Sequence, residues 1–180
     1  MILSAGNEEI FSFARPIGIG LIESAINLTH ICLLNRPNSL IFIGSAGSYN
    51  PNKHKIFDII TSSSASQIEI SFLKKESYTP IEQIITASVS RETIVNSSNY
   101  ITTDKLSALA FDKLGFEIEN MEFYSVMKVA KEFNLPVKGV FVVTNYCDKN
   151  AHNEYIKNIK QAKQILINYL KEHKYIKENK

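Results

Sequence analysis

Residues 118–149 read "IENMEFYSVMKVAKEFNLPVKGVFVVTNYCDK", and this stretch decides the fold. Val126, Val129, Ala130 and Phe133 recur on one helical face, and the helix must end before Pro136. Val140–Val143 then run without a polar interruption, as a strand does when it is buried on both faces. The helix–strand unit carries an acid at each end: Glu122 where the helix opens and Asp148 just beyond the strand.

The same alternation extends outward. "MILSAG" is a short apolar strand ending in small residues, and "LIFIGSAG" is a second, central one, with Ile41–Ile43 at its heart. Between them a helix is expected from Leu21 to Leu34, with Ile22, Ala25, Ile26, Thr29, Cys32 and Leu33 on its apolar face and "NRPNS" ending it. "FDIITSSSAS" and "IEQIITAS" read as further strands, and "ETIVNSSNYI" is apolar at one end and polar at the other. A helix from Thr103 to Lys113 is capped by Thr103 or Asp104, with Leu106, Leu109, Ala110 and Leu114 on one side. The last helix, Asn153 to His173, buries Ile156, Ile159, Ile165, Leu166 and Leu170. The expected fold class is α/β: one three-layer α/β/α domain, residues 1–180, around a central mixed sheet.

With 180 residues, 44% of them hydrophobic, the chain can bury one sizeable core. Its net charge of +2 gives no electrostatic case for nucleic acid, and the basic end "KEHKYIKENK" reads as a solvated terminus. Cys32 and Cys147 do not suggest a disulfide framework, and the four histidines show no metal-ligand spacing. No run is long enough to span a membrane and no signal peptide is evident, so a cytoplasmic location is expected.

In open α/β sheets, ligands gather outside the carboxyl ends of the strands. Four loops are expected there: "SAGNEE", "GSAGS", "NSSNY" and "NYCDKNAHNE". With Glu122 nearby they bring Glu8, Glu9, Ser45, Tyr100 and Asp148 together, a set of hydroxyls, carboxylates and an aromatic face suited to a polyol joined to a planar ring. Each residue also has a structural reading. Glu122 would be a favourable acid in a first helical turn and Asp148 a cap or turn residue. Gly18 and Gly20 in "PIGIG" are either an anion-binding helix start or only a tight turn.

The order of these pieces resembles the nucleoside phosphorylase and nucleosidase superfamily. "AGNEE" is similar to its first-strand loop, "GIGLIESA" to its glycine turn, and "FIGSAGSYNPN" to its strand and glycine loop. "NMEFYSVMKVAKEFNLPVKGVFVVTNYCD" is similar to its Met-Glu helix and the strand closing in Ser-Asp. The resemblance implies that Glu122 binds ribose hydroxyls, that Met121 packs on the sugar, and that Asp148 protonates the leaving purine. It makes Glu9 the base that activates water, with Glu8 the fallback. Ser45, with Ala46 and Gly47 of the same loop, would hold the nucleophile or substrate, and Tyr100 would stack on the base. Cys147 stands where the family has serine.

Two departures set the expected chemistry. Only "IFSFARP" joins the first loop to the glycine turn, where the family usually has a strand hairpin, so the resemblance is to a shortened member. Phe42 occupies the position of the arginine that phosphorylases use for phosphate. Hydrolysis of a purine nucleoside or 5′-modified adenosine is therefore preferred, without a cofactor. Phosphorolysis is the alternative, with inorganic phosphate as co-substrate held by Gly18, Gly20, Arg15 or a neighbouring subunit's Arg91. A catalytically impaired nucleoside-binding subunit is the third reading. A homodimer or higher homo-oligomer is expected to help wall the pocket.

Overall fold

A computed structural model describes residues 1–86 and 93–177. The strands and helices follow in chain order: β1 (Ile2–Ser4), a 3₁₀ turn (Asn7–Glu9), β2 (Arg15–Pro16), α1 (Gly20–Asn35), β3 (Leu40–Ser48), β4 (Ile59–Ser62), β5 (Ser64–Ser66), α2 (Ile70–Leu73), β6 (Ile84–Thr86), β7 (Ile94–Ser97), α3 (Lys105–Lys113), β8 (Phe116–Asn120), α4 (Phe123–Glu132), β9 (Val137–Tyr146) and α5 (Ala151–Glu172). One mixed sheet runs β2-β1-β3-β8-β7-β5-β6, with β9 on the other side of β3 and β4 beyond it. The α/β class and both central strands are as the sequence implied.

Strand β3 organises the rest. It lies parallel to β9 along its whole length, from Leu40↔Val137 to Ser48↔Tyr146. Its other edge is shared. β1 pairs in parallel with Ile41 and Phe42, and β8 pairs antiparallel with Gly47 and Ser48. Among the described residues, Gly44–Ala46 therefore have no strand beside them on that edge.

Helices cover both faces. On one, α1 and α4 pack over β3 and β9, where Phe42, Phe123 and Phe141 meet with ring centroids 5.1 to 6.0 Å apart. On the other, Ala162, Leu166 and Leu170 of α5 pack on Ile43, Val140 and Val142. A third cluster under α3 joins Tyr49, Phe111 and Phe116. Fully burying each such side chain contributes about 1.5–3 kcal/mol, so the two apolar central strands anchor the fold.

Four local readings are corrected. "GSAGS" is the end of β3 and not a loop: its small residues let neighbouring side chains cross the strand. In α1 the buried face is Gly20, Ser24, Leu28, Ile31 and Cys32, while Ile22, Ile26 and Leu33 are 69%, 52% and 58% exposed. Small residues there let α1 approach α4 closely, and spacing alone favoured the bulkier stripe. In α3, likewise, Ser107, Ala108 and Phe111 are buried and Leu106, Leu109 and Leu114 are exposed. Asp104 does cap α3, accepting from the Ser107 N–H at 2.8 Å. In α5, Ile159, Leu166 and Leu170 are buried as expected, but Ile156 is exposed.

Gly139 in β9 leaves room for the aromatic trio. A Cβ there would lie 2.4 Å from Phe141 Cε2 and 2.8 Å from Phe123 Cζ, both in a filled core. Gly139→Ala should lower unfolding free energy by about 1–3 kcal/mol, as overpacking typically does. Denaturant unfolding should show a lower midpoint at unchanged slope.

Candidate active site

Where β1 stops and β8 has not yet begun, the peptide group of Ser45 faces an open gap in the sheet. Buried backbone groups need partners, and side chains supply them here. The Ser45 N–H donates to the two carboxylate oxygens of Glu9 at 3.3 and 3.2 Å, and the Ser45 hydroxyl donates to the same carboxylate. The Ser45 carbonyl accepts from Asn120 Nδ2 at 3.1 Å. Gly44 has to be small beside this: a Cβ there would lie 2.9 Å from Glu9 Oε2.

Glu122 approaches from the opposite wall. Asn120 Oδ1 caps α4 by accepting from the N–H groups of Glu122 and Phe123 at 2.9 and 3.0 Å. The Glu122 side chain is thus not needed as a cap and turns to α1, where its Oε1 accepts from the Gly20 N–H at 2.9 Å. Glu9 and Glu122 are both buried. Burial raises the Glu9 carboxyl above the usual range, an effect reduced by its bonds to Ser45. Burial first, and then the nearby charge of Glu9, push Glu122 up to about 8. Tyr155 of α5 is pushed up to about 12 by burial and the same acids, and so stays a neutral donor.

These groups line a cavity of about 320 Å³, within the range of small-molecule sites. All four segments expected at the strand ends reach it, "GSAGS" as part of β3. Ala5–Glu9, Ser45, Ala46, Gly47, Tyr100, Met121 and Glu122 form its walls, with Asn145, Ala151, His152 and Tyr155 closing one side. Tyr100 stands at the mouth, 76% exposed.

Other expected site residues lie elsewhere. Asp148 does not line the cavity; its Oδ1 accepts from the Asn150 N–H at 2.8 Å, the turn role that its position before α5 allows. Cys147 is buried behind Gly47 and also off the lining. The "PIGIG" turn is no anion site, because its amides are spent internally: Gly18 on the Ala5 carbonyl, Ile19 on Glu23, Gly20 on Glu122 and Leu21 on Asn99. Arg15 is exposed on β2, away from the cavity, and Arg91 lies outside the described residues.

Glu119, Asn145, His152 and Tyr155 were not foreseen. Glu119 lies in "FEIEN", whose period-two alternation after Gly115 is a strand signal. Among the described residues, no group of three or more His, Cys, Asp or Glu could hold a metal ion.

No protein-family model matches the sequence, and no curated protein matches it. Solved structures do. A mutant of the Helicobacter pylori 5′-methylthioadenosine/S-adenosylhomocysteine nucleosidase, with 5′-methylthioadenosine in its active site, superposes with a TM-score of 0.80 at 16% identity over 95% of each chain. The chain has the fold of these nucleosidases. A mutant of H. pylori futalosine hydrolase gives 0.79 at 18% identity, covering 94% of this chain and 95% of that one. The Streptococcus pneumoniae nucleosidase with a transition-state inhibitor gives 0.76 at 13%, over 94% and 95%.

The raised Glu122 has a measurable consequence. The fold favours its neutral form, so the stability this group confers is full below its ordinary value of 4.5 and is lost as pH rises to about 8. The ligand-free protein should melt several degrees lower at pH 9 than at pH 5. Glu122→Gln should flatten that slope, read by thermal melts across pH.

Proposed function

We propose that the protein hydrolyses the N-glycosidic bond of a purine nucleoside, with a 5′-modified adenosine the preferred substrate class. The observation that carries this reading is the buried Glu9 carboxylate, braced by both donors of Ser45 and sharing one cavity with Glu122. The likeness to nucleosidase structures, one holding 5′-methylthioadenosine, supports it.

In this reading Glu122 accepts hydrogen bonds from the ribose hydroxyls while Met121 packs on the sugar. Glu9 takes a proton from water as it attacks the anomeric carbon. Ser45 fixes the direction of the Glu9 carboxylate, which a general base requires before its pKa matters. Tyr100 covers the base from the mouth, offering an aromatic face for stacking.

Water is favoured over phosphate on charge. Glu8, Glu9, Glu119 and Glu122 line the cavity, and among the described residues no lysine or arginine does. An anionic nucleophile would enter against carboxylates without a cation to receive it. Lys163, whose charge acts on Glu9, is spent on the carbonyls of Glu8 and Ile10 at 2.6 and 3.1 Å.

We further propose a homodimer. Ile22 and Ile26 of α1 are exposed, and the start of α1 is tied to the cavity rim by the Leu21–Asn99 hydrogen bond. Tyr100 and Ile101, which follow Asn99 at the mouth, are exposed as well, and a second copy seated on these residues would wall the site. A cytoplasmic location is proposed with it. Among the described residues, no helix is long and apolar enough to cross a membrane.

A nucleoside panel assayed with and without phosphate, reading free base, tests the reaction. Base release independent of phosphate is expected. Glu9→Gln should lower it by about 10²–10⁴-fold. Stoichiometric phosphate consumption would establish phosphorolysis instead, and tight product binding without turnover would establish a binding subunit. For assembly, light scattering should give twice the chain mass, and Ile22→Glu should shift it to monomer.

A further inference from the structure

The geometry points to Glu119, and not Asp148, as the acid that protonates the departing base; this rests on the nucleosidase reading above. Glu119 sits in β8 directly opposite Gly47, on the strand that carries Ser45. On the other side of Gly47 stands Asn145, and it is there because of an irregularity. The β3–β9 register passes from Ala46↔Val143 to Gly47↔Asn145, so Thr144 is the extra residue of a bulge. Without it Asn145 would point to the opposite face of the sheet.

Gly47 is thus bare backbone between two polar side chains. A Cβ there would lie 3.0 Å from Asn145 Nδ2 and 3.3 Å from Glu119 Cγ, and all three residues line the cavity. Gly47 is two residues along β3 from Ser45, about 6–7 Å, and on the same face. A sugar held between Glu9 and Glu122 therefore projects a flat heterocycle over Gly47, with Glu119 and Asn145 at its edge.

The surroundings of Glu119 suit a proton donor. Burial raises its carboxyl above the usual range. Its Oε1 accepts from the Thr102 N–H at 2.9 Å, and the Tyr49 hydroxyl and Cys147 thiol lie close enough to act on it. Burial holds both of those groups neutral, well above their ordinary values. The carboxylate left after donation would thus meet neutral donors. Asp148 holds its own turn and does not line the cavity.

The step balances. The glycosidic C–N bond breaks with its electron pair going to the base, while the Glu119 proton goes to a ring nitrogen, so the base leaves neutral. Water forms the new C–O bond at the anomeric carbon and gives its proton to Glu9. Proton return from Glu9 to Glu119 through solvent restores the enzyme.

The test compares Glu119→Gln, Glu119→Asp and Asp148→Asn on a purine nucleoside and on p-nitrophenyl β-D-ribofuranoside, whose phenolate departs without protonation. Glu119→Gln should lower kcat on the nucleoside by about 10²–10⁴-fold, spare the aryl riboside, and abolish the alkaline limb of the pH profile. Glu119→Asp should restore part of the nucleoside rate, showing that the loss is of an acid and not of the fold. Asp148→Asn should stay within a few-fold of wild type on both. Equal losses on the two substrates in Glu119→Gln, a wild-type rate in it, or a selective loss in Asp148→Asn would each overturn the assignment while leaving the nucleosidase reading intact. A wild-type protein that releases no base from any nucleoside would overturn both.

Discussion

The peptide group of Ser45 is the point on which the site depends. A fully paired β3 would satisfy it with a neighbouring strand, and nothing could then bind there. Because β1 leaves after Phe42 and β8 arrives only at Gly47, the N–H and carbonyl of Ser45 must find side chains. Glu9 answers one and Asn120 the other. Each of those partners fixes more: Glu9 enters the cavity, and Asn120 caps α4 and so turns Glu122 toward it. One gap in a sheet edge thereby orients both acids.

Collecting carboxyl groups in one cavity is costly, and the structure lowers that cost in two ways. Neutral donors from Ser45, Gly20 and Thr102 reach Glu9, Glu122 and Glu119 respectively. Burial together with mutual repulsion keeps protons on part of the set, most plainly on Glu122. Acids of differing protonation in one pocket are what acid–base chemistry requires, since one must take a proton while another gives one. The same crowding disfavours an anionic co-substrate.

The likeness at 13–18% identity is one of fold. Asp148 lies just beyond the strand, and its side chain serves the turn before α5. A single extra residue in β9, Thr144, sends Asn145 to the cavity and moves the strand's end relative to Gly47. Fold depends on the apolar pattern of whole strands, whereas the site depends on individual register positions. The first tolerates sequence divergence much better than the second.

The sequence alone determined the α/β class, both central strands, the four longer helices, three of them to within two residues at both ends, and the four segments that meet at the cavity. Those features follow from hydrophobic period, helix stops and caps, all of which act over a few neighbouring residues. It also singled out Glu9, Ser45 and Glu122, which the structure gathers into one cavity. Tertiary structure decided what depends on distant partners. Which face of α1 and α3 is buried follows from how closely small residues such as Ser24 and Ala108 let them approach their neighbours. Whether an acid faces the cavity follows from strand register: Glu119 enters because it pairs with Gly47, while Asp148, beyond the bulge, does not. Register is set between strands far apart in the chain, so no local pattern could have stated it.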